Sequence, residues 1–149
     1  MKKIFLIISI FFFTSTLILL NNNLSDKKTP QATINNHIFN LEIVKTNNER
    51  AIGLAKYKNI LQNFGMLFLF EKPNYYSFWM KNMKFPIDII FIKNNKIVTI
   101  FKDVPMPKSN NGSLPIYQAQ ELSDTVLEIN AGLSDKYNFK NGDTVKIKL

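Results

Sequence analysis

One acid inside an apolar strand is the feature that most constrains the fold of this chain. Residues Ile87 to Ile92 read IDIIFI, so both alternating faces of a strand here are apolar except at Asp88. This pattern is typical of a strand buried on both sides. An unpaired buried carboxylate costs several kcal/mol. The fold therefore has to bring a polar partner to Asp88 from another segment.

The composition predicts one packed domain with an appendage. The 149 residues are 46% hydrophobic and include 13 Phe, which is enough to fill a core. The absence of Cys excludes disulfides, thiolate metal sites and nucleophilic Cys chemistry. A single histidine, His37, excludes a multi-histidine metal centre within one chain. We therefore expect no metal and no cofactor.

The N-terminal segment has the pattern of an export signal. Lys2 and Lys3 precede Ile4 to Leu20, a run of 17 residues without a charge. The run is long for a cleaved signal core and short for a spanning helix, so a signal peptide and an uncleaved membrane anchor both remain open. We predict that residues 1–28 are this leader and its tether. The rest would then be exported, to the periplasm or the extracytoplasmic face, and would meet the membrane only through this segment.

The positive charge does not indicate a nucleic-acid partner. The chain has a formal net charge of +8, but its basic residues are scattered lysines with Arg50 as the one arginine. Base-edge readout and bidentate phosphate binding favour arginine for geometric reasons. A solvated basic surface explains the lysines, and we expect no nucleic acid among the partners.

Residues 32–149 have the pattern of a β-rich domain. Short alternating runs are joined by Asn35-Asn36 and by Asn94-Asn95, and Asn tolerates the left-handed backbone of a tight hairpin. Thr46 and Glu49 match a capping box that opens a helix over about 47–57. The composition of Glu71-Lys72-Pro73-Asn74 predicts a turn, and three further runs predict strands: Tyr75 to Met83, Ile87 to Lys93 and Lys96 to Val104. The fold predicted is mainly β: an antiparallel β-sandwich or open barrel of about seven to nine short strands, with one or two short helices, behind an N-terminal hydrophobic helix.

Two acids on strands that read as buried are the main candidates for chemistry. If their strands are neighbours, Asp88 and Glu128 could share a face with Lys81, Asn82 and Asn130. Paired carboxylates perform general acid/base chemistry when their environments separate their pKa values. A buried polar network that fixes the strand register is the alternative. We favour the network, because the pattern provides no nucleophile or metal site beside the acids.

An aromatic group around the one tryptophan is the other candidate. Trp79 could be a stacking platform for a sugar or another flat ligand together with Tyr75 and Tyr76. It could equally be a core anchor. Phe78 has the pattern of a core residue, whereas Trp79 shares its face with Lys81, so both uses of Trp79 remain open.

Six motifs occur in order along the domain: Arg50-x-x-Gly53-Leu54, GMLFLF at 65–70, SFWMKN at 77–82, PIDIIFI at 86–92, VLEINAG at 126–132 and Asn141-Gly142-Asp143. Together they closely resemble the family catalogued as domain of unknown function 192, and the resemblance covers about residues 32–149. It implies a compact, mostly β domain of sandwich type that is often exported from bacterial cells. The family has no established activity, so the resemblance assigns no catalytic residue.

The motif positions mark either a ligand site or a polar network that holds the fold. These positions are Arg50, Trp79, Lys81, Asn82, Asp88, Glu128 and Asn130. We expect an exported, non-enzymatic envelope domain that binds a small ligand or a partner protein through a polar-aromatic patch. The alternatives are an acid/base enzyme of glycan hydrolase type that uses Asp88 and Glu128, and a scaffold whose motif residues only stabilise the fold.

Overall fold

A computed structural model of the protein describes residues 28–149, so the predicted N-terminal hydrophobic helix lies outside the described residues. Within the described part, no helix is long and apolar enough to cross a membrane. The strands are β1 (Gln31–Ile34), β2 (His37–Val44), β3 (Phe64–Asn74), β4 (Ser77–Trp79), β5 (Ile87–Lys93), β6 (Lys96–Val104), β7 (Ile116–Gln118), β8 (Ser123–Asn130) and β9 (Val145–Lys148). The helices are α1 (Asn47–Ile52), a following 3₁₀ turn (Gly53–Lys56) and α2 (Leu133–Lys136).

Seven of these strands form one sheet in the order β6-β5-β8-β3-β2-β1-β9, while β4 and β7 form a small second sheet. The strands pair antiparallel apart from β2 and β3, which run parallel. A parallel pair needs a crossover connection. Here α1 and the 3₁₀ turn provide it, so the sheet is mixed at this one place.

The large sheet curls until its two edge strands meet. The Ile97 N–H donates to the Asp143 carbonyl at 3.0 Å, and the Gly142 N–H donates to the Ile97 carbonyl at 2.8 Å. An isolated bridge pairs Lys96 with Thr144 at the same seam. The mainly β fold and the open barrel predicted from the sequence are therefore confirmed, with the barrel closed at one end of the seam.

The tight turns follow the predicted chemistry. Both Asn-Asn pairs have positive φ values, 45° and 67° at Asn35 and Asn36, and 50° and 59° at Asn94 and Asn95. Asn is among the few residues that adopt this region readily. The two predicted hairpins are confirmed.

The helix is shorter than predicted. The capping box at Thr46 is present, but α1 ends at Ile52 because Gly53 adopts a φ of 51°. A β-carbon at Gly53 would lie 3.6 Å from the Phe68 ring. That distance is an ordinary van der Waals contact, so the positive φ, rather than a lack of space, is what favours glycine here.

The sheet has a core on each face. The inner core lies inside the curl and draws on all seven strands, and the outer core lies under α1 and the small sheet. Strands β5 and β8 contribute to both, which explains why IDIIFI is apolar on both faces and confirms the strand predicted there. Large members of the inner core are Phe39, Leu67, Ile90, Leu127 and Phe139, and large members of the outer core are Leu54, Met66, Phe68, Ile89 and Phe91.

Candidate functional site

The two candidate acids lie on neighbouring strands but on opposite faces of the sheet. In the β5–β8 pair, Asp88 is opposite Ile129, whereas Glu128 is opposite Ile89. Residues directly opposite one another share a face, and successive residues alternate. Asp88 therefore points to the inner core and Glu128 to the outer core. The expectation that these acids share a face is corrected, and paired-carboxylate catalysis has no geometric basis.

Asp88 is fully buried and fully satisfied. Its Oδ1 accepts hydrogen bonds from the backbone N–H groups of Asp103 at 2.8 Å and Gly132 at 3.1 Å, and its Oδ2 accepts one from Ser134 at 2.7 Å. These bonds tie β5 to the end of β6 and to the start of α2. Several backbone donors satisfy the hydrogen-bonding capacity of a buried carboxylate without a cation. Asp88 therefore joins three segments of the barrel.

Two of the predicted motif residues also hold the fold locally. The Asn130 Nδ2 donates to the carbonyls of Ile60 at 3.2 Å and Leu61 at 3.1 Å, which fixes the loop before β3. The Asn82 backbone N–H donates to Asn110 Oδ1 at 2.7 Å, and Asn82 has a φ of 59°. Neither side chain lines the cavity described next.

The remaining motif residues meet around a cavity of about 150 Å³ on the outer face of the sheet. It opens to solvent between α1 and the small sheet. An apolar cavity of about this volume accommodates benzene. The space thus fits one ring or a molecule of similar size. Residues central to the site are Arg50, Phe70, Phe78, Trp79, Lys81 and Glu128.

Glu128 lies among apolar residues of the cavity. It is 5% exposed, and its cross-strand neighbours are Met66 and Ile89. Burial raises the pKa of the Glu128 carboxyl from its ordinary value of 4.5 to about 8. Within residues 28–149, no cation pairs with it, and no hydrogen bond offsets the effect of burial. This carboxyl is therefore largely neutral at pH 7 and has its hydrogen-bonding capacity unused by the protein.

Arg50 is held rigidly at one side of the cavity. Its Nη1 donates to the carbonyls of Lys45 and Leu69, the latter at 2.9 Å, and its Nη2 donates to Asn47 Oδ1 at 2.7 Å. The guanidinium lies 4.9 Å from the centre of the Phe70 ring. A guanidinium has five N–H donors, so these bonds leave two for other partners. No carboxylate of the described chain pairs with it.

Trp79 and Lys81 also line the cavity. The Trp79 side chain is 50% exposed, and the Lys81 Nζ lies 5.2 Å from the centre of its ring. Phe78 lines the same cavity, is partly buried and packs edge-on against Phe68 and Phe91. The structure therefore places Phe78 against the outer core, as the pattern indicated. Trp79 lies at the surface, where the sequence left a core anchor and a stacking platform both open.

Phe70 is a cavity residue that the sequence analysis did not single out. Its ring stacks on Tyr76 with the centroids 3.6 Å apart. The Arg50 guanidinium lies 4.9 Å from the centre of the same ring. Phe70 is the last apolar residue before a polar segment, and that position was the one available signal. The donors to Asp88 were not predictable by residue type, because all three are backbone groups.

These features define a class of small, curled-sheet β domain with two cores and an aromatic cavity that contains a buried acid. The chain belongs to the domain of unknown function 192 family, described as an uncharacterized ACR, whose sequence profile matches residues 30–147. The family membership indicated by the motifs is confirmed. This membership assigns no activity.

Two solved structures are similar to this chain. One, a protein of unknown function from Novosphingobium aromaticivorans DSM 12444, has 30% identity and a TM-score of 0.70 over 79% of this chain and 83% of its own. The other, a putative transcription regulator from Sinorhizobium meliloti 1021, has 27% identity and a TM-score of 0.68 over 79% and 91%. The search of curated proteins gives no match.

Proposed function

We propose that this protein is an envelope domain, exported across the cytoplasmic membrane, that binds a small organic ligand in the cavity around Glu128. The observation that carries the proposal is a buried carboxyl that lies in a solvent-open cavity and has no partner within the described chain. The Glu128 oxygens are not sealed from the cavity, since Ser134 Oγ is the one buried side-chain N or O atom without a partner among the described residues. An acidic side chain that is 95% buried without a paired cation is nevertheless rare and requires an explanation. A ligand that pairs with Glu128 provides one.

The cost of this arrangement supports a role beyond stability. Burying an ionisable carboxyl among apolar residues costs free energy, and an apolar side chain would fit the same environment of Met66 and Ile89 without that cost. Departures from local consistency tend to occur at functional sites. The rigid Arg50 and the half-exposed Trp79 place further binding groups around the same cavity.

A non-enzymatic role is the simpler proposal. Glu128 has a pKa suited to proton transfer near neutral pH. However, the acid predicted to work with it, Asp88, lies on the other face of the sheet and is occupied by three backbone donors. The scaffold hypothesis applies to Asp88, Asn82 and Asn130, which hold segments together, and does not account for the cavity.

The description of the Sinorhizobium protein as a transcription regulator is not part of this proposal. Arg50 is the one arginine of the chain, and it lines the cavity. The lysines are scattered along the sequence. This arrangement favours a ligand in the cavity over contacts to base edges.

Ligand binding is testable with Trp79, because the chain has one tryptophan and that residue lies at the cavity rim. Cell-wall sugars, short peptides and single-ring compounds would be screened by intrinsic fluorescence and thermal unfolding. A ligand at 100 times its Kd stabilises the folded state by about 2.7 kcal/mol. We expect a ligand that changes Trp79 emission and raises the Tm of the wild type but has little effect on the Tm of Trp79→Ala.

Lys84→Gln is the matched control, because Lys84 is exposed and does not line the cavity. Its response should equal that of the wild type. An equal Tm increase in the Trp79→Ala protein would place the binding elsewhere and contradict the proposal.

Export is tested by fractionating cells that express the full chain and by measuring the mass of the recovered protein. We expect the protein in the periplasmic or membrane fraction, with the mass showing whether the leader is cleaved. Replacing the apolar residues of 4–20 by polar ones should retain the protein in the cytoplasm. Cytoplasmic recovery of the unaltered protein would contradict the localisation.

A further inference from the structure

We propose that the cavity takes a small organic anion, a carboxylate carried on a single ring. This inference rests on the proposed ligand-binding function and names the chemical class of its ligand. Three properties of the cavity lead to it: the charge of its rim, the protonation of the acid at its wall, and the size and chemistry of its apolar sides.

The rim is cationic. Arg50 and Lys81 line the cavity, and neither forms an ion pair with an acid of residues 28–149. Arg50 retains two unused N–H donors on a guanidinium already fixed in place, which reduces the entropy lost on binding an anion. The other titratable side chain facing the cavity is Tyr76, and its hydroxyl donates to the Lys72 carbonyl at 2.7 Å. Two cations are thus available without a counter-charge.

Glu128 does not cancel this charge at neutral pH. With a pKa of about 8, roughly ten neutral carboxyls exist for each carboxylate at pH 7. The neutral group carries a proton that it can donate to a ligand carboxylate. The ionised group would instead repel an anion and attract an ammonium, but an ammonium would also face Arg50 and Lys81. The charges therefore favour an anion over a cation.

The apolar part of the cavity favours a ring. Phe70 and Trp79 present aromatic surfaces, and the volume of about 150 Å³ matches one six-membered ring. A carboxylate on that ring would lie between the rim cations and the Glu128 carboxyl. A larger ligand would extend over the exposed face of Trp79.

The test compares four probes on the protein as purified from cells. Benzoate carries both features, acetate has the charge alone, benzyl alcohol has the ring alone, and benzylamine has the ring with the opposite charge. Affinities would be measured by Trp79 fluorescence and confirmed by calorimetry. We expect benzoate to bind at least tenfold more tightly than each of the other three at pH 7. Its affinity should fall about tenfold between pH 7 and pH 9, because the fraction of protonated Glu128 falls by that factor.

Variants separate the roles of the charged groups. In Glu128→Gln, benzoate affinity should no longer fall between pH 7 and pH 9, a change that a purely structural role for Glu128 would not produce. Lys81→Gln should weaken benzoate severalfold at low salt and leave benzyl alcohol unaffected. Lys84→Gln should match the wild type with every probe.

The outcomes distinguish this inference from the proposed function. If benzyl alcohol or benzylamine binds as tightly as benzoate and Glu128→Gln alters that binding, the ligand site stands and the anionic class is wrong. If acetate binds as tightly as benzoate, the inference that the ligand carries a ring is wrong. If none of the probes changes Trp79 fluorescence or Tm between pH 6 and pH 9, both proposals are overturned.

Discussion

Asp88 and Glu128 are two acids on adjacent strands that are both almost fully buried, yet their surroundings differ completely. Asp88 accepts three backbone hydrogen bonds, whereas no described residue pairs with Glu128. The difference arises from the backbone nearby. Asp103 has a φ of 49° within β6 and Gly132 has a φ of 79° before α2, and these irregular positions direct N–H groups at Asp88. The comparison teaches that hydrogen-bond satisfaction, rather than burial, separates a structural acid from a candidate site.

The largest expected effect is at Asp88. Asp88→Ala would leave three buried N–H groups without an acceptor, at about 1–3 kcal/mol each. We expect a loss of about 5 kcal/mol in the free energy of unfolding, measured by urea denaturation. If that protein does not fold, Asp88→Asn provides the measurement, with about 3 kcal/mol lost because its amide opposes one donor. Exposed Glu121→Gln is the control, and a loss at Asp88 below 1 kcal/mol would contradict the structural role.

Glu128 should make stability depend on pH in the opposite sense to a satisfied carboxylate. Its pKa is raised by folding from 4.5 to about 8, so the folded state binds more protons than the unfolded state between these values. Stability contributed by the protonated group is complete below about pH 4.5 and is lost as the pH rises to about 8. The wild type should therefore lose about 1.4 kcal/mol per pH unit relative to Glu128→Gln across the centre of this range. Parallel pH profiles for the two proteins would show that Glu128 is solvated.

Asn130 tests whether a satisfied polar group next to the cavity behaves like Asp88. Asn130→Ala removes the donors to the Ile60 and Leu61 carbonyls, and we expect a loss of about 1–2 kcal/mol in the free energy of unfolding. Ligand affinity should be unchanged, because Asn130 does not line the cavity. If Asn130→Ala weakened ligand binding and left the free energy of unfolding unchanged, Asn130 would instead be a ligand-binding residue.

The smallest effect on stability is expected at Trp79. Its ring is half exposed, and Trp79→Ala should change the free energy of unfolding by about 1 kcal/mol or less. The same change should remove most of the Tm increase caused by a ligand. A loss of several kcal/mol would show that Trp79 is a core anchor, which is the other use that the sequence left open.

Local patterns identify the strands well where the chain alternates or is apolar throughout. The bounds predicted for β5 and β6 are confirmed, because Asn94-Asn95 separates the two strands and Pro86 and Pro105 lie just outside them. The strand predicted over Tyr75 to Met83 is wrong in length: β4 covers only Ser77–Trp79, since Asn82 adopts a positive φ and turns the chain. The polar segment 71–74, predicted as a turn, continues β3.

The arrangement of the site could not be predicted, because it depends on which strands become neighbours. Alternation within β8 indicates that Val126 and Glu128 share a face, and the same reasoning holds for Asp88 and Ile90. It does not indicate that β8 lies between β3 and β5 in the sheet. That order sets the register that puts Asp88 opposite Ile129 and so separates the two acids. The contact between Arg50 and Phe70 likewise joins residues that no sequence period connects.

The first and last strands of the domain are partners, with Ala32 opposite Ile147. The barrel therefore lacks one wall until β1 and β9, which are far apart in the sequence, have met. Long-range pairings of this kind form slowly, because the loop between the partners must close first. Completion of the native state is thus a single late event, and removing even the few residues of β9 should leave the newly made polypeptide unable to seal its inner core.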